Sequence, residues 1–148
     1  MPSLNSKKTY EDILKEDGSL TYISYGYSMY PLIRQKEDIL HIISPKEEFK
    51  KGDIVLYKDK EHHYVLHRIL KRKKDGKYLL AGDHNYWKDP LIEKENIIGI
   101  LKDITKKDGK VIDLEKDKKF RGWICVHLFH LKALYLIFIK GIHKIFRK

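Results

Sequence analysis

A mainly β fold with helices only at its ends is what this sequence predicts, and three observations predict it. Seven short runs rich in Ile, Val, Leu and Tyr recur between Leu20 and Leu114. Four glycine-containing dipeptides, Lys51-Gly52, Asp75-Gly76, Gly82-Asp83 and Asp108-Gly109, punctuate them. The flanking segments differ in character, one short and amphipathic, the other long, apolar and basic.

In chain order, Tyr10–Lys15 reads as a short amphipathic helix closed by Asp17-Gly18. The strand candidates are Leu20–Tyr25, Ile39–Ile43, Asp53–Tyr57, Tyr64–Leu70, Lys77–Leu80, Ile97–Ile100 and Lys110–Leu114. Short β-leaning runs at this spacing indicate a barrel or sandwich with hairpin turns. Asp75-Gly76, between two apolar runs, is the clearest hairpin signal. The 148 residues fit one hydrophobic core. They divide into an N-terminal segment (1–19), a β domain (20–115) and a C-terminal helix (116–148).

That last segment is apolar and free of proline from Arg121 to Lys140, but His127, His130 and Lys132 interrupt it. A transmembrane helix needs about 20 predominantly apolar residues. The flank of Lys140, His143, Lys144, Arg147 and Lys148 is basic, which suits a helix lying in the interface of an anionic membrane. The competing reading packs its apolar face on this chain or on a second copy.

The formal charge is +10, mostly from lysines scattered along the chain. Such an excess attracts nucleic acid or an anionic membrane, and it equally describes a solvated lysine-rich surface. Five arginines with no stacking-aromatic pattern argue against a nucleic-acid module. The single cysteine, Cys125, excludes an internal disulfide framework. The first 18 residues lack a continuous apolar core, so a secretory signal is not expected. These features together lead us to expect a cytoplasmic protein, peripheral on the inner membrane face if its C-terminal helix docks there.

Candidate chemistry begins at Gly26-Tyr27-Ser28-Met29-Tyr30-Pro31, where a proline after the first strand forces a turn that presents Ser28. Downstream lie Lys51-Gly-Asp-Ile-Val-Leu-Tyr57, Val65-Leu-His-Arg-Ile-Leu70, Ala81-Gly-Asp-His-Asn-Tyr-Trp-Lys-Asp89 and Ile98-Gly99. A serine in a turn is ordinarily structural. The ordered set changes its meaning. Over roughly residues 20–103 it resembles the S24/S26 superfamily of serine peptidases, which includes type I signal peptidases and LexA-like self-cleaving repressors.

The resemblance implies a signal peptidase/LexA-like β-barrel in which Ser28 is the nucleophile and His67 the general base. A histidine at that point matches the Ser-His branch, and Asp89 matches the acidic residue supporting the base. Asp83 belongs to the Gly-Asp box, closer to the structure of the site. Gly26 stands where signal peptidases often have a hydroxyl, so the oxyanion hole falls to the main-chain N–H groups of Tyr27 and Ser28. Met29, Tyr30 and Pro31 are the implied substrate-binding residues. The chain departs from the family pattern at Glu37-Asp38, where a turn glycine is usual, and at His84, where asparagine is usual.

The chemistry is coherent without the family. A serine hydroxyl needs a positioned base, and an imidazole, titrating near about 6.5, takes the proton and returns it to the leaving amine. A carboxylate on the other ring nitrogen fixes the tautomer. His63 and His67 have the spacing of a zinc helix, but on a strand they would lie about 13 Å apart, and no HExxH glutamate is present. No metal or cofactor is therefore expected. Tyr86 and Trp87 read as packing residues rather than pocket walls.

The resulting expectation is a serine endopeptidase that cleaves a protein or peptide precursor, such as a leader peptide. The alternative is a catalytically silent peptidase-fold module that binds a membrane surface or nucleic acid through its basic face.

Overall fold

The computed structural model describes residues 8–117 and positions 131, 134, 135, 137–139 and 142. Helix α1 (Tyr10–Asp17) is followed by strands β1 (Ser19–Ile23), β2 (Ile39–Ile43), β3 (Ile54–Lys58), β4 (Tyr64–Arg72) and β5 (Tyr78–Ala81). After a 3-10 turn at Lys94–Asn96 come β6 (Ile97–Thr105), β7 (Val111–Asp113) and the four-residue α2 (Leu114–Asp117). Most of the expected C-terminal helix (116–148) lies outside the described residues. Among those described, no helix is long and apolar enough to cross a membrane.

Helix α1 starts where Thr9 accepts a hydrogen bond from the Asp12 N–H and Asp12 answers at the Thr9 N–H, a capping box. It stops at Gly18, in the left-handed conformation, whose N–H closes on the Leu14 carbonyl. The strands form one antiparallel sheet in the order β1-β2-β6-β3-β4-β5, with β7 paired to β6.

Two apolar clusters cover the two faces. Leu40, Ile42, Ile54, Leu56 and Ile104 join Leu14 of α1 in the first. Val55, Tyr57, Ile69, Tyr78, Leu80 and Ile97 form the second. Strand β3 feeds both by simple alternation, which is why its sequence is a continuous apolar run. Gly99 on β6 makes room for the helix, because a Cβ there would lie 2.6 Å from Ile42 Cγ2 and 3.1 Å from Leu14 Cδ1.

The turn lacking the usual glycine is held by other means. Lys36 takes a positive φ of 60°, and its N–H donates to the Ser24 carbonyl at 2.9 Å. Buried Asp38 then accepts from the Arg34 N–H at 2.7 Å and from the Lys106 ammonium.

Helix α1 also ties separate strands together. Tyr10 packs against Tyr22 of β1 and Tyr64 of β4, with ring centroids 5.7 and 4.6 Å away. Lys58 and the Tyr64 hydroxyl donate to Glu11 at 2.7 and 2.5 Å. Burial alone would raise the Glu11 carboxyl, but these two hydrogen bonds outweigh it and hold the group below its ordinary 4.5. A depressed carboxylate stabilises the fold above its unfolded value and loses that contribution as pH falls through the folded value. Glu11→Gln is accordingly expected to destabilise the protein at pH 7 by less than about 1 kcal/mol, the pair being one-third exposed. Thermal melts from pH 7 to 3 should show the gap to the wild type closing below the carboxyl's folded value. A gap constant with pH would contradict the assignment.

Candidate active site

His67 stands on β4 opposite Val55 of β3, and only 6% of its surface is exposed. Its Nδ1 lies 2.6 Å from Asp89 Oδ2, with both side chains under a tenth exposed. A carboxylate in this position accepts from the tautomer that carries its hydrogen on Nδ1, the tautomer that leaves Nε2 as the acceptor. Tyr57, two residues from Val55 on the same face of β3, is buried with its ring centroid 6.3 Å from the imidazole. Burial pushes its phenol up far beyond the ordinary value, and the nearby Asp89 carboxylate adds to the shift.

Asp89 owes its place to the loop that follows β5. The Asp89 N–H donates to the Leu80 carbonyl at 2.9 Å, folding the loop back on the strand that began it. Asn85 is buried in the bend, with its N–H on the Gly82 carbonyl. The same loop grips the serine. The His84 N–H donates to the Ser28 carbonyl at 2.7 Å, and a Cβ at Gly82 would lie 2.6 Å from that oxygen and 2.9 Å from Ser28 Cβ. Only glycine tolerates that approach. Ala81 pairs with Arg68, so one further step in the register brings Gly82 abreast of His67. One loop therefore touches both the candidate nucleophile and the candidate base. Ser28 Oγ and His67 make no hydrogen bond to each other among the described residues.

The two aspartates separate cleanly. Asp83 receives Arg68 Nε at 2.9 Å and Nη2 at 2.7 Å, and Arg68 Nη1 also donates to the Gly52 carbonyl at 3.0 Å. Arg68 is 1% exposed. Asp89 is the carboxylate on the His67 imidazole, and Asp83 binds the Gly82 turn to the sheet through Arg68.

Ser28 is half-buried and lines an open groove of about 710 Å³ with Tyr10, Tyr22, Tyr25, Met29, Tyr64 and Leu66 among its walls. The N–H groups of Tyr27 and Ser28 donate to no protein acceptor among the described residues. Of the expected substrate-binding residues, Met29 is buried in the core and borders the groove. Tyr30 is exposed and meets His84 edge-on at 5.7 Å, while Pro31 faces a different hollow with Arg34 and Lys106. Tyr86 and Trp87, expected to pack, are exposed and stack edge to face on each other at 4.7 Å.

Comparison of the chain with protein-family models, curated proteins and solved structures gives no match. Its chemistry rests on its own residues.

Sequence reasoning missed Tyr57 and the Arg68–Asp83 pair. Alternation along β3 puts Tyr57 on the face of Val55, but only the β3–β4 register reveals His67 as their neighbour. Arg68 directly follows His67, and alternation turns it to the opposite face.

Proposed function

We propose that the protein is a serine endopeptidase in which Ser28 attacks the peptide carbonyl and His67 is the general base, oriented by Asp89. The observation that carries this reading is the loop after β5, which holds His67 Nδ1 through Asp89 at 2.6 Å and grips Ser28 through Gly82 and His84. Nε2 takes the hydroxyl proton as the Ser28 Oγ–carbon bond forms. It returns that proton to the nitrogen of the leaving amine as the peptide bond breaks, and water then hydrolyses the acyl-serine by the same route. The N–H groups of Tyr27 and Ser28 receive the oxyanion.

The substrate would lie as an extended segment in the groove. The groove is flanked by β1, an outer strand of the sheet, and by Tyr64–Leu66 of β4, which lie beyond the part of β4 paired with β5. Chain segments with free ladder groups on both sides favour an added strand. The same curl, which brings β1 and β4 to one groove, supports the barrel of the S24/S26 superfamily as the finer description of the sheet. The biological substrate on this reading is a protein or peptide precursor.

A fluorophosphonate probe tests the assignment directly. Wild-type protein is expected to be labelled on Ser28, with labelling reduced to background in Ser28→Ala. Equal labelling of the two proteins, or none of either, would remove the nucleophile.

A further inference from the structure

The loop after β5 carries two large rings between its two attachments to the site. At one attachment the His84 N–H holds the Ser28 carbonyl at 2.7 Å, and at the other Asp89 holds the His67 imidazole at 2.6 Å. Between them Tyr86 and Trp87 are 38% and 50% exposed and meet edge to face at 4.7 Å. The backbone that bears them is fixed, because the Asn85 N–H closes on the Gly82 carbonyl and the Asp89 N–H on the Leu80 carbonyl. Tyr86 is two residues from His84, and Trp87 two from Asp89. Two residues of chain span at most about 7 Å, so both rings start within a dipeptide's length of the groups that hold serine and imidazole. Rigid aromatic rings with a polar tip are the side chains that most often anchor a bound partner.

From this placement we infer that Tyr86 and Trp87 are a docking face for a large apolar side chain, aromatic or leucine-like, in the leaving half of the substrate, at the first or second residue after the cut bond. The statement rests on the peptidase reading of the same site. Chemistry selects the half. The acyl half stays bonded to Ser28, while the nitrogen of the leaving half must reach His67 for its proton. His67 is held by the loop that carries the rings, whereas the groove lined by Ser28 includes neither His67 nor any residue of that loop. The leaving half is therefore directed toward Tyr86 and Trp87 rather than along the groove. Since the two rings are already braced on each other, little ordering is needed when a side chain settles on them.

Aminolysis of the acyl-enzyme tests the leaving side by itself. N-acetyl-alanine p-nitrophenyl ester acylates Ser28 and releases nitrophenol, and an amino acid amide then competes with water for the bound ester carbonyl. The amine gives a proton to His67 Nε2 as its bond to carbon forms, and Ser28 Oγ takes that proton as the ester bond breaks. The ratio of amide to acid product, read by mass spectrometry, does not depend on how fast the enzyme is acylated. With the wild type, phenylalanine amide and leucine amide are expected to trap the acyl-enzyme about tenfold better than alanine amide at equal concentration. Trp87→Phe should keep the preference. The double variant Tyr86→Ala with Trp87→Ala should reduce it to within about twofold while ester hydrolysis continues. A wild type that accepts alanine amide equally well overturns the inference, as does a preference that survives loss of both rings. Ester turnover undiminished in Ser28→Ala, or no fluorophosphonate labelling of the wild type, overturns the peptidase reading instead.

Discussion

Asp89→Asn is expected to leave the fold intact and lower the rate of Ser28 acylation by about 10⁴-fold, the size of this change in a Ser-His-Asp triad. Asparagine fills nearly the same volume, so the Leu80 contact of its main chain and the packing of the loop persist. What changes is the sign of one hydrogen bond. The Asp89 oxygen that accepts from Nδ1 at 2.6 Å can become an amide that donates, which places the imidazole hydrogen on Nε2. Nε2 then has no lone pair for the serine proton. Acylation kinetics with the fluorophosphonate, set beside circular dichroism, measure both halves. A variant within tenfold of the wild type would mean that the carboxylate does not orient the base.

Arg68→Leu is expected to have the largest effect on stability, about 3–5 kcal/mol, because it strands a buried carboxylate rather than merely deleting a contact. Asp83 would lose both guanidinium bonds, at 2.9 and 2.7 Å, and the Gly52 carbonyl a third at 3.0 Å. Water does not easily replace them, since Arg68 is 1% and Asp83 9% exposed. The double variant Arg68→Leu with Asp83→Asn removes the orphaned charge and should recover part of the loss, a coupling that urea denaturation midpoints at constant m-value would report. Additive losses would show that the two groups stabilise the fold independently.

Much of this scaffold could be read from the chain. All seven strand candidates became strands, and Ile39–Ile43 matches β2 residue for residue. Those positions alternate or run apolar, and glycine turns bound them. The Asp75-Gly76 hairpin formed as its composition dictates, with the Gly76 N–H on the Lys73 carbonyl. β6 runs on to Thr105, past the expected end at Ile100, because Lys102 merely turns outward while Ile104 returns to the core. Charges on one face do not end a strand. The candidate site was legible as residue types, since Ser28, His67 and Asp89 stand out in the sequence and one loop contacts both Ser28 and His67. Their partners were not. That Asp83 takes Arg68 while Asp89 takes the imidazole depends on how an eight-residue loop folds back, and no local pattern encodes that. Nor could the order of strands be read, because β6 inserts between β2 and β3 through contacts far apart in sequence.

That insertion has a consequence for how the chain assembles. β3, β4 and β5 are successive hairpin neighbours and can zip by short-range steps, and Asp89 itself is tied to this unit through the Leu80 carbonyl and His67. The segment bearing Ser28 belongs with β1 and β2, which join the hairpins within the sheet through residues 97–105. During synthesis, then, His67 and Ser28 stay on separate parts of the sheet until β6 leaves the ribosome and bridges them. On the peptidase reading, a nascent chain halted before residue 97 is expected to be unreactive toward the fluorophosphonate.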